Sequence, residues 1–351
     1  IAIRGIGGNR VALELDGVPL PTQFDVGNFA DSSRTALDPA VIDRIEVLRG
    51  PASSLYGSDA LGGVVAIYSL DPDDLVGPGR NLHLGGGFGF FGANDGILGR
   101  ATGAWQGRRD GVLVSVVHRS GDEPDNRASG VEDDRIDRRQ IQAFAKWVHA
   151  TERIGTFRLS ADVYARETDS DLRSLLGWER FATTTSLTGD DEQERGRVVV
   201  EHRLPRLEWL DEASVMAYVQ HNRTEQRTEE LRASRGVDQR LERDFFFEEF
   251  GTGTEWRVRR DFATGPLDHS VVTGVEWDRQ LLEQRRDGRA TTLATGATSN
   301  NLLGEQFPLR DLPETTYDEV GIYLENELTW NVFALIPGLR WDRYALSPRP
   351  D

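Results

Sequence analysis

Cysteine is absent from the 351 residues, which excludes a disulfide scaffold, a thiolate metal site and a cysteine nucleophile. Long apolar runs are also missing, since nothing approaches the roughly 18 residues of a membrane-spanning helix. Basic charge is scarce: 41 Lys and Arg face 58 Asp and Glu, for a formal net charge of −17. That balance argues against a nucleic-acid partner and leaves no polybasic patch for anionic lipid. The opening "IAIRGIGGNRV" has neither a basic n-region nor an apolar h-region, and "DRYALSPRPD" closes as abruptly. The sequence therefore reads as an internal stretch of a longer protein.

What is present is strand pattern. Residues 1–75 hold short apolar runs, "RVALELDGVPL", "VIDRIEVLRG" and "GGVVAIYSL", divided by Gly, Pro and Asp, and predict a small α+β unit. From about residue 80 the strands lengthen past the usual five or six residues of a soluble sheet. In "TFRLSADVYAR" the apolar Phe157, Leu159, Ala161, Val163 and Ala165 alternate with Arg158, Ser160, Asp162, Tyr164 and Arg166, so one face is apolar and the other polar. "DEVGIYLENELTW" repeats the pattern. About eleven strands are expected, near 81–91, 97–107, 110–120, 139–149, 156–166, 194–204, 212–224, 245–260, 267–279, 317–330 and 332–344. Long polar connections follow the strands ending near 120, 166, 224 and 279, and tight turns lie between them. This asymmetry is that of a membrane barrel with short turns at one rim and long loops at the other. Trp105, Trp147, Trp256 and Trp330 fall near short turns, as an interfacial girdle requires, with Trp277 and Trp341 toward the opposite rim.

The stretches "IRGIGGNRVALELDGVPLP" and "DPAVIDRIEVLRGPASSLYGSDALGGVVAI" closely resemble the plug domain of TonB-dependent outer-membrane receptors. "ATTLATGATSN", "FPLRDLPET" and "LIPGLRWDRYALSPRPD" look like the haemoglobin/transferrin/lactoferrin (haem) branch of that family. The resemblance implies a transmembrane antiparallel β-barrel of about 22 strands, about eleven of them here, around a small α+β plug in the lumen. It implies that 1–75 is a plug lacking its start and that 76–351 is the N-terminal half of the barrel. It implies a Gram-negative outer-membrane importer of haem, or of haem taken from haemoglobin, driven by TonB and its inner-membrane energising complex, with outer-membrane lipid and lipopolysaccharide around it. Such a protein is not an enzyme: it has no catalytic residue, no resident metal and no cofactor, and haem is its cargo.

The resemblance also carries residues. Arg4 and Arg49 match plug arginines that pair with wall glutamates in the family, here Glu325 or Glu327, because an unpaired buried arginine is costly. Gly5, Gly50, Pro51, Tyr56, Gly57, Gly62 and Gly63 match plug packing and turn positions. Gln23, Phe24, Asp25, Asn28 and Phe29 lie in the plug loop that faces the ligand, and Asn28 stands where haem-binding relatives carry a histidine. Three other readings stay open: a receptor for a ferric siderophore or other iron complex, a soluble all-β hydrolase using a carboxylate pair, and an adhesion barrel with no plug.

Overall fold

The structure, a computed structural model, describes residues 2–22, 37–50, 52–57, 60–123, 130, 132–234, 236–302 and 304–349. Gln23, Phe24, Asp25, Asn28, Phe29 and Pro51 lie outside the described residues.

Near the N-terminus, strands β1 (Val11–Leu15), β2 (Val18–Pro19), β3 (Ile42–Arg49) and β4 (Gly63–Ser69) form one sheet in the order β2-β1-β4-β3. Leu15 and Val18 are joined by Asp16 and Gly17, both at positive φ, the two-residue Asp-Gly turn that closes a hairpin with the native twist. β4 pairs parallel to β1 and antiparallel to β3, so it is central, and its "VVAI" run is buried on both faces. One face packs Val11, Leu13, Leu15, Leu20, Val65 and Ile67 together; the other packs the small Ala12, Ala52, Ala60, Val64 and Ala66 against Tyr56. Two single-turn helices flank this sheet, α1 (Ser53–Tyr56) and α2 (Pro72–Leu75).

Eleven long strands then form an antiparallel wall in sequence order: β5 (Leu82–Phe91), β6 (Gly96–Gln106), β7 (Asp110–Asp122), β8 (Arg135–Thr151), β9 (Gly155–Asp171), β10 (Thr184–Arg203), β11 (Glu212–Ser234), β12 (Val237–Thr264), β13 (Leu267–Thr292), β14 (Thr315–Trp330) and β15 (Gly338–Pro348). Each pairs with its chain neighbours, and among the described residues no helix is long and apolar enough to cross a membrane.

The polarity of the wall identifies its surroundings. On β9, Ser160, Asp162 and Tyr164 are buried whereas Leu159 is 37% and Val163 59% exposed. On β14, Tyr323 is buried between exposed Ile322 and Leu324. Gln142, Arg195 and Gln220 are likewise buried, while Leu84, Phe88 and Leu346 are open. A sheet with its polar face inside and its apolar face outside is unfavourable in water and is what lipid demands. That excludes the soluble hydrolase. Trp105, Trp147, Trp256, Trp330 and Trp341 sit on the exposed side.

The strands run well past the expected lengths. The segments expected as loops between 166 and 194 and between 224 and 245 are largely strand, with β11 running to Ser234 and β12 starting at Val237. Beyond the membrane both faces of a hairpin are wet, so the apolar alternation that marks a strand fades while the backbone pairing continues.

Candidate functional site: the plug–wall interface

The N-terminal sheet lies inside the curve of the wall, and among the described residues three aspartates tie it there. Each precedes a turn-forming Gly or Pro: Asp16-Gly17, Asp38-Pro39 and Asp71-Pro72. Asp38 caps a short helical turn by accepting from the Ala40 backbone N–H at 2.8 Å. The same carboxylate accepts from Arg119 Nε of β7 at 2.5 Å and from Gln140 Nε2 of β8 at 2.9 Å, and the Asp38 backbone N–H donates to Gln142 Oε1 at 2.6 Å. Asp71 accepts from Lys146 Nζ of β8 at 2.7 Å and from Arg158 Nε of β9 at 3.3 Å. Asp16 takes the Ser69 backbone N–H at 2.9 Å and the Ser69 hydroxyl at 2.7 Å, then meets Arg197 Nη2 of β10 at 3.5 Å.

Arg197 is a junction. It donates to Leu15 O at 2.5 Å and to Asp162 Oδ1 at 2.8 Å, and Arg195 shares Asp162 at 2.5 Å. All three wall side chains are buried, so each charge depends on its partners. Burial alone would raise the Asp16 carboxyl, but Lys146, Arg197 and the Ser69 hydrogen bonds outweigh it and hold it below the usual carboxylate range. The Asp16 contribution to docking is therefore complete above the ordinary aspartate range and is lost only as pH falls below it.

Further hydrogen bonds extend the seam. Gln220 of β11 donates to Pro19 O at 3.1 Å, and the Thr22 backbone N–H donates to Glu249 of β12 at 3.2 Å. The Ser54 hydroxyl of α1 donates to Glu325 of β14 at 2.8 Å. Arg340 of β15 reaches Leu55 O at 3.4 Å while bonding Asp342 at 2.7 Å and contacting Glu276. The carboxylates of Glu276, Glu319 and Asp342 lie close enough together to hold a cation, and the Arg340 guanidinium fills that place.

The sequence-expected pairs come out differently. Arg4 and Arg49 are both solvent-exposed, and no ion pair involving either is found among the described residues. Glu325 faces the lumen as its strand parity implies but meets Ser54, and Glu327 is exposed. Among the described residues the ionic contacts of the seam have the opposite sense, with plug carboxylates on wall cations. Gly57 adopts φ +78° and ψ −171° with Arg340 Nη2 3.3 Å from where a Cβ would stand. A Cβ on Gly62 would meet Ile6 at 2.9 Å. Gly63 lies at φ +138° beside the Leu48 carbonyl; Gly5 and Gly50 also have positive φ, in open space. Tyr56 is half-buried beside the alanine-lined face.

At the rim carrying the longer connections, the ends of β7–β13 surround a cavity of about 1350 Å³ lined by thirteen carboxylates and four arginines. By strand parity His118, His149, His202, His221 and His269 point outward. His149 pairs with Asp110 at 2.8 Å and His221 with Glu248 at 2.5 Å.

Two family models match the chain: "TonB-dependent Receptor Plug Domain" over residues 1–64, and "TonB dependent receptor-like, beta-barrel" over residues 91–350. The chain belongs to the TonB-dependent receptor family. It is an outer-membrane barrel protein, and the filled lumen excludes the plugless adhesion barrel. The receptor is 46% identical to the hemin receptor of Yersinia pestis over 81 residues, 23% of this chain and 11% of that protein. In fold it resembles the hemophore receptor HasR of Serratia marcescens, solved with its hemophore HasA and heme. That match has a TM-score of 0.63 at 17% identity, covering 96% of this chain and 45% of HasR. It also resembles the siderophore receptor PiuA of Acinetobacter baumannii, with a TM-score of 0.61 at 15% identity, covering 97% of this chain and 51% of PiuA. The chain therefore spans about half the length of these solved receptors.

Proposed function

We propose that the receptor imports haem, free or taken from haemoglobin, in a TonB-dependent manner, with residues 1–75 as plug and 76–351 as barrel wall. The observation carrying this reading is the 46% identity to a hemin receptor over 81 residues. The seam explains how a bound cargo and an energised partner can act on one element. Among the described residues three ionic anchors and several further hydrogen bonds hold the plug against β7–β15, so a pull on the plug must break them in turn, and re-formation returns it. No bond in the cargo is made or broken.

A second reading, a receptor for a siderophore or other iron complex, has a specific observation in its favour. The acidic rim repels the two propionates of free haem and suits a cationic complex or a basic carrier surface. Growth on a single iron source separates the two. A strain lacking its other haem receptors and carrying the intact receptor gene grows on haem or haemoglobin under the first reading, and loses that growth when TonB is deleted. Growth on a ferric siderophore but not on haem selects the second.

A further inference from the structure

Glu14 lies on β1 at the plug–wall interface and lines a cavity of about 360 Å³ closed on its far side by β11–β14. The charges around it are already committed. Arg257 of β12 donates to Glu255 at 2.8 Å and to the Tyr323 hydroxyl at 3.0 Å. Asp278 of β13 takes the Tyr218 hydroxyl of β11, and Glu276 and Glu319 at the other end face Arg340. On the plug side stand Tyr56 of α1 and Tyr68 of β4, and Arg44 of β3 is bonded to Glu46 at 2.9 Å and stacks over Tyr68. The floor cations Lys146, Arg158 and Arg197 serve Asp71 and Asp16. Among the described residues the Glu14 carboxylate has no hydrogen-bond or ion-pair partner, and four of the wall groups lining the cavity, Glu255, Glu276, Asp278 and Glu319, are carboxylates.

We propose that Glu14 is a proton-operated latch: the plug seats with the Glu14 carboxyl protonated, and loss of that proton sets an unmatched negative charge against the wall carboxylates and loosens the plug. Burial, then Glu255 and Asp278, push this carboxyl up to about 8 against the pull of Arg257. Once the plug leaves the wall, Glu14 meets water, returns to its ordinary range and releases the proton. The sign follows from the upward shift: the contribution to seating is complete below pH 4.5 and is lost as pH rises through about 8. The latch depends on plug and wall geometry alone, so its failure would leave the cargo assignment untouched.

Hydrogen exchange of the β1 and β4 amides tests this in the intact receptor in lipid vesicles, with rates corrected for intrinsic chemistry and β8–β9 amides as the internal reference. Plug opening in the wild type should rise roughly tenfold or more between pH 6 and 9, and Glu14→Gln should flatten the profile. A flat wild-type profile, or parallel profiles for the two proteins, overturns the latch. If Glu14→Gln does not assemble, Asp278→Asn is read instead. Removing that neighbouring charge must move the midpoint to lower pH, and an unmoved midpoint overturns the latch equally.

Discussion

Asp38 is the residue whose removal the plug should feel most. Asp38→Ala leaves Arg119 without its carboxylate and strips a cap from the turn at Pro39–Val41. We expect plug docking to weaken by about 3 kcal/mol, read as faster exchange or protease nicking of the plug with the barrel intact. A plug as protected as the wild type would show that the seam is carried elsewhere. Gly57→Ala should cost about 1–3 kcal/mol, because its φ and ψ lie in a region open essentially to glycine alone and a Cβ would crowd Arg340. At this scale the sequence was half legible. The glycines at tight turns announced themselves, and strand parity put Glu325 on the lumen side. The anchors did not: Asp16, Asp38 and Asp71 read locally as ordinary turn residues, and their wall partners lie 75 to 181 positions away. Only the turn context hinted at them: each Asp stands before Gly or Pro, and Asp16 and Asp71 also follow an apolar strand.

Each wall strand has a lipid side and a lumen side, and the two should respond differently to charge. Val163→Arg places a guanidinium on the exposed apolar side of β9 and should destabilise the membrane-embedded barrel by about 2–4 kcal/mol. Arg227→Ala, on the exposed hairpin beyond the membrane, should stay within about 0.5 kcal/mol. Denaturant titration of the receptor in bilayers reads both, and equal effects would contradict the assigned polarity. The existence of these strands was legible because lipid on one side and a polar lumen on the other impose strict period-two alternation. Their outer ends were not, because water on both sides removes that alternation. The β11–β12 overhang, in which Glu225–Ser234 pairs with Val237–Phe246, is charged on both faces and looks like loop composition.

At the scale of the whole molecule, the plug inside a polar-lined wall follows from family resemblance together with the sorting of loops, and the structure supplies the seam. Its several anchors are distributed over β7 to β15, so no single contact sets the docking strength, and the plug can be released stepwise from one side. The acidic rim belongs to this scale too. It accumulates over seven strand ends that are remote in sequence, and it predicts that haem delivery is faster from a carrier with a basic face than from free haem, with the advantage shrinking as salt is raised.

The most direct test of haem as cargo is a Soret titration of outer-membrane vesicles carrying the full receptor, with haem and with haemoglobin. Haem import predicts saturable, receptor-dependent binding with a shifted Soret band. Vesicles that bind neither, yet bind a ferric siderophore, would contradict it and assign this plug and wall to another iron complex.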